Sequence, residues 1–108
     1  MARRPGARRT SDVPALIWLP EALADIERLH AHLDTANPQA AADAVLCIQA
    51  AARRLTLFPE IGAPMASHPP YRQIFAAFGS GAYVLRYRID EQGNPVIVRV
   101  WHSRELRI

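Results

Sequence analysis

The side chains best suited to chemistry lie at the C-terminal end of the chain. Residues 98–108, VRVWHSRELRI, pass from an alternating apolar pattern into a histidine, a serine, a glutamate and two further arginines. Imidazole titrates near neutral pH, so His102 beside Arg104 and Glu105 has the residue types of a general acid or base. The same pattern is typical of the solvated end of a last strand, where a lone histidine is structural. The residue types alone leave both interpretations open.

The remaining histidines and the cysteine do not form a metal site or a redox pair. His30 and His32 are two residues apart in a helical segment and therefore project in nearly opposite directions. His68 stands alone in a proline-rich segment, and a single cysteine, Cys47, excludes an internal disulfide. There is also no glycine-rich loop of the kind that cradles phosphate. We therefore expect neither a metal nor a cofactor.

Charge is distributed unevenly along the chain. All 13 basic residues are arginines, and the formal net charge is +3. Residues 71–108 carry six arginines against three acids, whereas residues 12–60 carry three arginines against seven acids. A basic second half favours an anionic or acidic partner there, although solvated arginine-rich faces would give the same composition.

The length and hydropathy of the chain indicate one globular domain. A chain of 108 residues is close to the commonest domain size, and half of its residues are hydrophobic. We expect residues 14–108 to form this domain and residues 1–13, with four arginines, to be a flexible basic tail. No apolar run approaches the roughly 20 residues that span a bilayer, and no signal peptide is evident. The expected location is therefore the cytoplasm, away from the membrane.

Helical periodicity dominates the first half of the chain. Leucine and isoleucine recur at helical spacing after Pro20, which predicts a helix over 20–35. Asn37 and the proline after it are typical of an N-cap and first helical position, and an apolar stripe then predicts a second helix over 38–58. So short a link between two helices predicts an antiparallel helical hairpin.

The period changes from 3.6 to 2 after a proline-rich loop at 59–70. Alternation predicts strands at 71–77, 82–89 and 95–102, joined by short turns as an antiparallel meander, with a further short strand at 15–19. The helical hairpin must bury its stripe against one face of this sheet. The expected fold is therefore α+β, with the helical hairpin packed on a twisted antiparallel β-sheet.

Alternation also assigns side chains to the two faces of the sheet. The apolar sets should face the helices; they comprise Tyr83, Leu85, Tyr87 and Ile89 in one strand and Val96, Val98, Val100 and His102 in the next. The opposite, open face should then carry an arginine cluster with one aromatic ring; its members are Arg86, Arg88, Arg99 and Trp101, joined by Arg72 from the neighbouring strand. Such a face suits nucleic acid or an acidic peptide.

Short motifs between residues 15 and 107 resemble those of the RelE/ParE superfamily of type II toxins. They are W-x-P-x-A-x-x-D-I from Trp18, FPEIG-P from Phe58, YR at Tyr71, YVLRYRID from Tyr83 and VxVWHSRE from Val98. The superfamily fold, two N-terminal helices against a twisted sheet, agrees with the fold expected from periodicity. The order and spacing of the motifs make the resemblance specific.

The resemblance implies one of two activities. One branch cleaves mRNA on the ribosome with basic residues and a Tyr or His; the other, ParE-like branch poisons DNA gyrase. The candidate catalytic residues under the first alternative are Arg72, Arg86, His102 and Arg104. However, Ile74, Tyr83 and Arg107 occupy positions where the nuclease branch keeps a basic residue, an arginine and a tyrosine. The resemblance is therefore closer to the ParE branch, with mRNA cleavage as the alternative.

The resemblance also implies partners. Toxins of this superfamily are neutralised by a cognate antitoxin, which we expect to be acidic, to wrap the helical hairpin and to form a hetero-oligomer with the toxin. DNA gyrase is the expected target, and the ribosome with its mRNA is the alternative target. The expected partner-binding residues are Arg72, Arg86, Arg88, Arg99, Trp101 and Arg104.

Overall fold

The computed structural model describes residues 14–105, in which two helices cover one face of a five-stranded sheet. In chain order the elements are β1 (Ile17–Trp18), α1 (Pro20–Asp34), α2 (Pro38–Leu57), β2 (Ala63–Pro64), β3 (Arg72–Phe78), β4 (Gly81–Ile89) and β5 (Pro95–His102). The sheet order is β1-β5-β4-β3-β2. The predicted α+β architecture is confirmed. The predicted tail at 1–13 lies outside the described residues.

Both helices begin at residues that are typical of helix N-termini. Pro20 takes the first position of α1, and Glu21 lies in the first turn, where the helix dipole favours an acid. The Asn37 side chain caps α2 by accepting a hydrogen bond from the Ala40 N–H at 3.0 Å, as predicted. The buried stripe of α2 is mostly alanine, with Ile48 and Leu55 filling the core. Small residues allow α2 to pack closely on its neighbours.

The meander β3–β4–β5 is antiparallel, as predicted, but the sheet as a whole is mixed. β1 pairs in parallel with β5, through Ile17 with Val96 and Trp18 with Ile97. Parallel pairing requires a crossover connection, and the helical hairpin lies in the segment between these strands. The second difference is β2, which lies in the segment predicted as loop. Its two residues include Pro64 and are too few to show periodicity.

The predicted face assignment is right for β4 and wrong for part of β5. Tyr83, Leu85 and Tyr87 belong to the core beneath the helices. In β5, however, the core takes Ile97 and Val100 instead of the predicted run that included Val96 and Val98. Arg86 pairs with Arg99 while the next residue, Tyr87, pairs with Ile97, so β5 carries one extra residue, a β-bulge. A bulge shifts every preceding side chain to the other face.

Within residues 14–105, no helix combines the length and the apolarity that crossing a lipid bilayer requires.

Candidate functional site

A cleft of about 610 Å³ lies between α1, the β3–β4 turn and the end of β5. Its lining combines an apolar floor with a charged and hydrogen-bonding rim: Arg28, Leu29, His32, Leu33, Phe78, Gly79, Ser80, Tyr83, His102, Arg104 and Glu105. We call this the C-terminal cleft. It brings together His102 and Arg104, two of the four predicted catalytic candidates.

His102 is held in the C-terminal cleft by its neighbours on three sides. Its ring meets the Tyr83 ring edge-on at a centroid distance of 5.1 Å, and its backbone N–H donates to Glu105 Oε1 at 3.0 Å. The Arg104 backbone N–H donates to His102 Nδ1 at 3.1 Å. Because a backbone N–H can only donate, Nδ1 is the acceptor, and in the neutral ring the proton is on Nε2.

Gly81 allows this close packing. A Cβ built on Gly81 would lie 2.7 Å from His102 Cε1 and 2.9 Å from Ser103 Oγ, which is closer than side chains tolerate. The glycine that opens β4 therefore lets the C-terminal turn lie directly against the β3–β4 turn.

A buried carboxylate, which the sequence did not single out, organises the neighbouring edge of the sheet. Asp25 accepts from Arg99 Nε at 2.8 Å and Nη2 at 3.1 Å, and also from the Val100 backbone N–H at 2.8 Å. Arg28 reaches Asp25 Oδ1 at 3.4 Å and also pairs with Glu105. Asp25 falls among the apolar positions of α1, and an acid at such a position is the signal that could have revealed it.

Competing effects set the ionisation of Asp25. Burial by itself raises its pKa, but the hydrogen bond and charge of Arg99, with the hydrogen bonds of Val100 and Arg28, outweigh burial and lower the pKa below its ordinary value. The same contact raises the pKa of Arg99, first through its hydrogen bond to Asp25. Asp25 is therefore a charged carboxylate at neutral pH.

Arg72 does not join the open face, and that part of the prediction is wrong. Arg72 pairs with Tyr87 and is in phase with Ile74, so its side chain starts on the helix side of the sheet. Its Nη1 donates to the carbonyl oxygens of Glu60 at 3.1 Å and Gly62 at 2.9 Å. Arg72 therefore fastens the segment before β2.

Arg86 and Trp101 share the open face, as predicted, but they cover each other. The Arg86 guanidinium carbon lies 5.1 Å from the centre of the Trp101 ring, a cation–π contact. Only 8% of Trp101 is exposed, and Val84 and Val96 on the same face are also buried. Arg88 pairs with Val96 and is half-buried. The part of the open face formed by β4 and β5 is thus mostly buried, and Arg86 and Arg88 on it are half-buried.

The four catalytic candidates are not brought together. His102 pairs with Tyr83 from β5 and Arg72 pairs with Tyr87 from β3, so they flank β4 at positions that are about 13 Å apart along that strand. Arg86 lies on the opposite face, which leaves only His102 and Arg104 in contact. Across the part of the chain that the structure describes, no group of three His, Cys, Asp or Glu side chains is placed to hold a metal ion.

Comparisons with known proteins agree with this fold. A family profile described as "ParE toxin of type II toxin-antitoxin system, parDE" matches residues 16–107. The chain belongs to this ParE toxin family. As a type II toxin, this ParE-family protein has an antitoxin partner by membership of such a system.

Curated relatives of the ParE-family chain carry RelE names. It is 38% identical over 84 residues to "Toxin RelE1" of Caulobacter vibrioides, covering 77% of this chain and 86% of the relative. It is 32% identical over 88 residues to "Toxin RelE3" of the same organism, covering 82% and 92%. These relatives confirm membership of the RelE/ParE superfamily, and their names leave the choice between its two activities open.

The fold is shared with a solved toxin–antitoxin structure. The "Chromosomal ParDE TA system from P. aeruginosa" contains a chain that matches with a TM-score of 0.67 at 22% identity, covering 83% of this chain and 96% of that one. At this identity the match shows the fold.

Proposed function

We propose that this ParE-family toxin stops growth in the cytoplasm by poisoning DNA gyrase through protein–protein contact, and that it does not cleave mRNA. The observation that carries the proposal is the separation of the four nuclease candidates, two of which are remote from the C-terminal cleft.

Cleavage of RNA by its 2′-hydroxyl requires a base, an acid and a cation to stabilise the phosphorane, all within hydrogen-bond reach. Arg72 is bonded to two loop carbonyls, and Arg86 lies across the sheet from His102. Tyr83 is a poor candidate for the base, because burial, together with the charges of Cys47 and Glu105, raises the pKa of its hydroxyl. The cleft thus supplies one histidine and Arg104, an incomplete set.

The antitoxin contact is part of the same proposal. Of the predicted partner-binding residues, Arg72 and Arg99 already bind acceptors within the chain. Arg104 is exposed at the rim of the C-terminal cleft, where its Nη2 contacts only the Ser80 carbonyl at 3.3 Å among residues 14–105. We therefore expect an acidic antitoxin segment to contact Arg104 first and to cover this cleft, forming a hetero-oligomer.

A ribosome-dependent mRNA nuclease is the second candidate, and the cleft itself favours it. About 610 Å³ lies within the usual range for ligand pockets, and His32, His102 and Arg104 all line the space. Under this alternative, the cleft would bind the nucleotide, and His102 would transfer the proton.

Two assays on the purified full-length chain separate the candidates: gyrase supercoiling with detection of cleaved DNA, and cleavage of mRNA on programmed ribosomes. We expect gyrase-linked DNA cleavage and no mRNA cleavage. His102→Ala should leave the gyrase effect within a few-fold of wild type, and His68→Ala, which removes an exposed loop histidine, is the matched control.

The nuclease alternative makes the opposite prediction. A general acid or base contributes about 10²–10⁴-fold to rate, so a nuclease should lose that factor in His102→Ala and keep its rate in His68→Ala. Wild-type cleavage of ribosomal mRNA with that pattern would overturn the proposal.

A further inference from the structure

The two edges of the sheet differ in whether their outward-facing backbone N–H and C=O groups have hydrogen-bond partners. On β5, beyond the end of β1, the Val100 N–H donates to Asp25 at 2.8 Å, and its carbonyl is approached by Arg28 Nη2 at 3.4 Å. Side chains of α1 thus satisfy a strand edge that would otherwise be free to pair.

The β3 edge has no comparable cover. β2 pairs only with Arg72 and Gln73. The Tyr71 carbonyl accepts from the Met65 N–H at 2.9 Å, which shows that odd-numbered residues of this strand turn their backbone groups away from β4. The N–H and C=O of Phe75 and the N–H of Ala77 accordingly face outwards and have no partner among residues 14–105. Within residues 14–105, the Ala77 carbonyl accepts only from the Cys47 thiol at 3.5 Å, and a thiol is a weak donor.

The sequence of this edge lacks the usual protection against strand pairing. Natural edge strands carry lysine, proline, inward charges or bulges. Residues 73–78 are QIFAAF, without a charge or a proline, and Phe75 is 59% exposed. Short uncharged segments of this kind favour intermolecular pairing. The β3 edge therefore lacks the features that oppose pairing with another strand.

We propose that the β3 edge pairs antiparallel with the β3 edge of a second copy of this chain, around a two-fold axis at Ala76. In this register Phe75 of each copy lies opposite Ala77 of the other. Both residues turn their N–H and C=O outwards, so each of the two pairs exchanges two backbone hydrogen bonds. The proposed dimer joins the sheets of two copies into one.

Three properties of the edge favour a second copy over an acidic antitoxin segment. Residues 73–78 offer no cation to an acidic strand, whereas two copies bring no like charges together. Ala77 is small, which leaves space for the facing Phe75 ring on the open face. Both strands are already ordered by pairing with β4, so pairing costs less conformational entropy than ordering a free peptide.

A matched pair of double variants tests the register. Phe75→Glu with Ala77→Glu places a glutamate opposite a glutamate in both cross-strand pairs, and Phe75→Lys with Ala77→Glu places a lysine opposite a glutamate in both. Cross-strand partners lie about 5 Å apart, so the first variant repels and the second attracts. Full-length chains made by cell-free translation would be compared by sedimentation equilibrium, with circular dichroism to confirm folding.

We expect wild type and the Lys/Glu variant to sediment at twice the 12.0 kDa monomer mass in the micromolar range, and the Glu/Glu variant to sediment as a folded monomer. A wild-type monomer would overturn the proposal and leave the edge to a strand of another protein. A dimer that persists in the Glu/Glu variant would place the interface elsewhere. Open-ended aggregates of wild type would also contradict it, because two-fold pairing leaves no free β3 edge. None of these outcomes depends on the target of the toxin.

Discussion

Replacement of Asp25 should destabilise the fold more than its position on a surface helix suggests. In Asp25→Ala the buried Val100 N–H loses its acceptor, and the Arg99 guanidinium loses both of its hydrogen bonds. Asp25→Asn retains one oxygen that can accept from Val100, but it removes the charge and replaces the oxygen that faces Arg99 Nη2 with an NH2 donor. The two variants therefore separate the hydrogen bond to the backbone from the ion pair.

The expected loss in the free energy of unfolding depends on how deeply the Asp25 contacts are buried. Breaking a buried ion pair costs about 3–5 kcal/mol, but here the arginine side chains are 40% and 44% exposed, and solvent screens the loss. An orphaned buried N–H adds about 1–3 kcal/mol. We expect Asp25→Ala to lower the free energy of unfolding by about 2–4 kcal/mol and Asp25→Asn by about 1–2 kcal/mol. For a domain of this size, 1 kcal/mol corresponds to about 4–8 °C in Tm.

The pH dependence has a definite sign. The pKa of Asp25 is lowered in the folded state, so its stabilisation is complete above the unfolded pKa of about 3.9 and is lost as pH falls through the folded pKa. The difference in stability between wild type and Asp25→Asn should therefore be constant from neutral pH to about pH 5 and should shrink towards pH 3.

Chemical and thermal denaturation at several pH values would measure these differences. Asp43→Asn is the control, because Asp43 is an exposed aspartate of α2 whose carboxylate accepts, among the described residues, from Gln39 alone. It should leave Tm unchanged. If Asp25→Ala matched wild type within about 0.5 kcal/mol, the assigned role of Asp25 in satisfying the β5 edge would be refuted.

Two further substitutions test the contacts that hold the segment before β2 and the start of α2. Tyr87→Phe removes a buried hydroxyl that donates to the Pro59 carbonyl at 2.6 Å and accepts from the Gly62 N–H at 2.9 Å; it should cost about 1–3 kcal/mol by urea denaturation, and a neutral result would contradict that assignment. Asn37→Ala removes the N-cap of α2 and should cost about 1 kcal/mol, whereas Asn37→Ser should restore most of it.

The elements with strong local signals could be predicted from the sequence. The α1 and α2 bounds differ from the expected ones by a single residue at each C-terminal end, because the proline and Asn37 signals fix the starts. The face assignment of β4 was also right, since Tyr83, Leu85 and Tyr87 alternate strictly with polar or smaller residues. In these segments, regular periodicity and local capping residues are sufficient to predict the element bounds and the buried face.

The β5 bulge, the position of Arg72 and the role of Asp25 depend on tertiary contacts, which cannot be predicted from sequence periodicity. The bulge at Val98 lies in the run Val96-Ile97-Val98. All three residues are apolar, so the sequence does not indicate which of them face the helices. Charge alone predicts Arg72 on the open face, but its position in β3 directs the side chain to the helix side, where it donates to the carbonyls of Glu60 and Gly62. The role of Asp25 depends on Val100, 75 residues later in the chain.

The polar C-terminal turn shows why residue types alone overstate its chemistry. Ser103 and Ala82 exchange hydrogen bonds of 2.7 and 3.0 Å, and Glu105 both caps the His102 N–H and pairs with Arg28. His102 in turn accepts from the Arg104 backbone. All four polar side chains in this turn therefore bond to the chain's own backbone, since Arg104 Nη2 donates to the Ser80 carbonyl at 3.3 Å. The guanidinium of Arg104 is exposed at the cleft rim, whereas Arg28 in the same cleft is paired with Asp25 and Glu105. An exposed cation without a carboxylate partner among the described residues fits an acidic protein partner better than it fits phosphorane stabilisation.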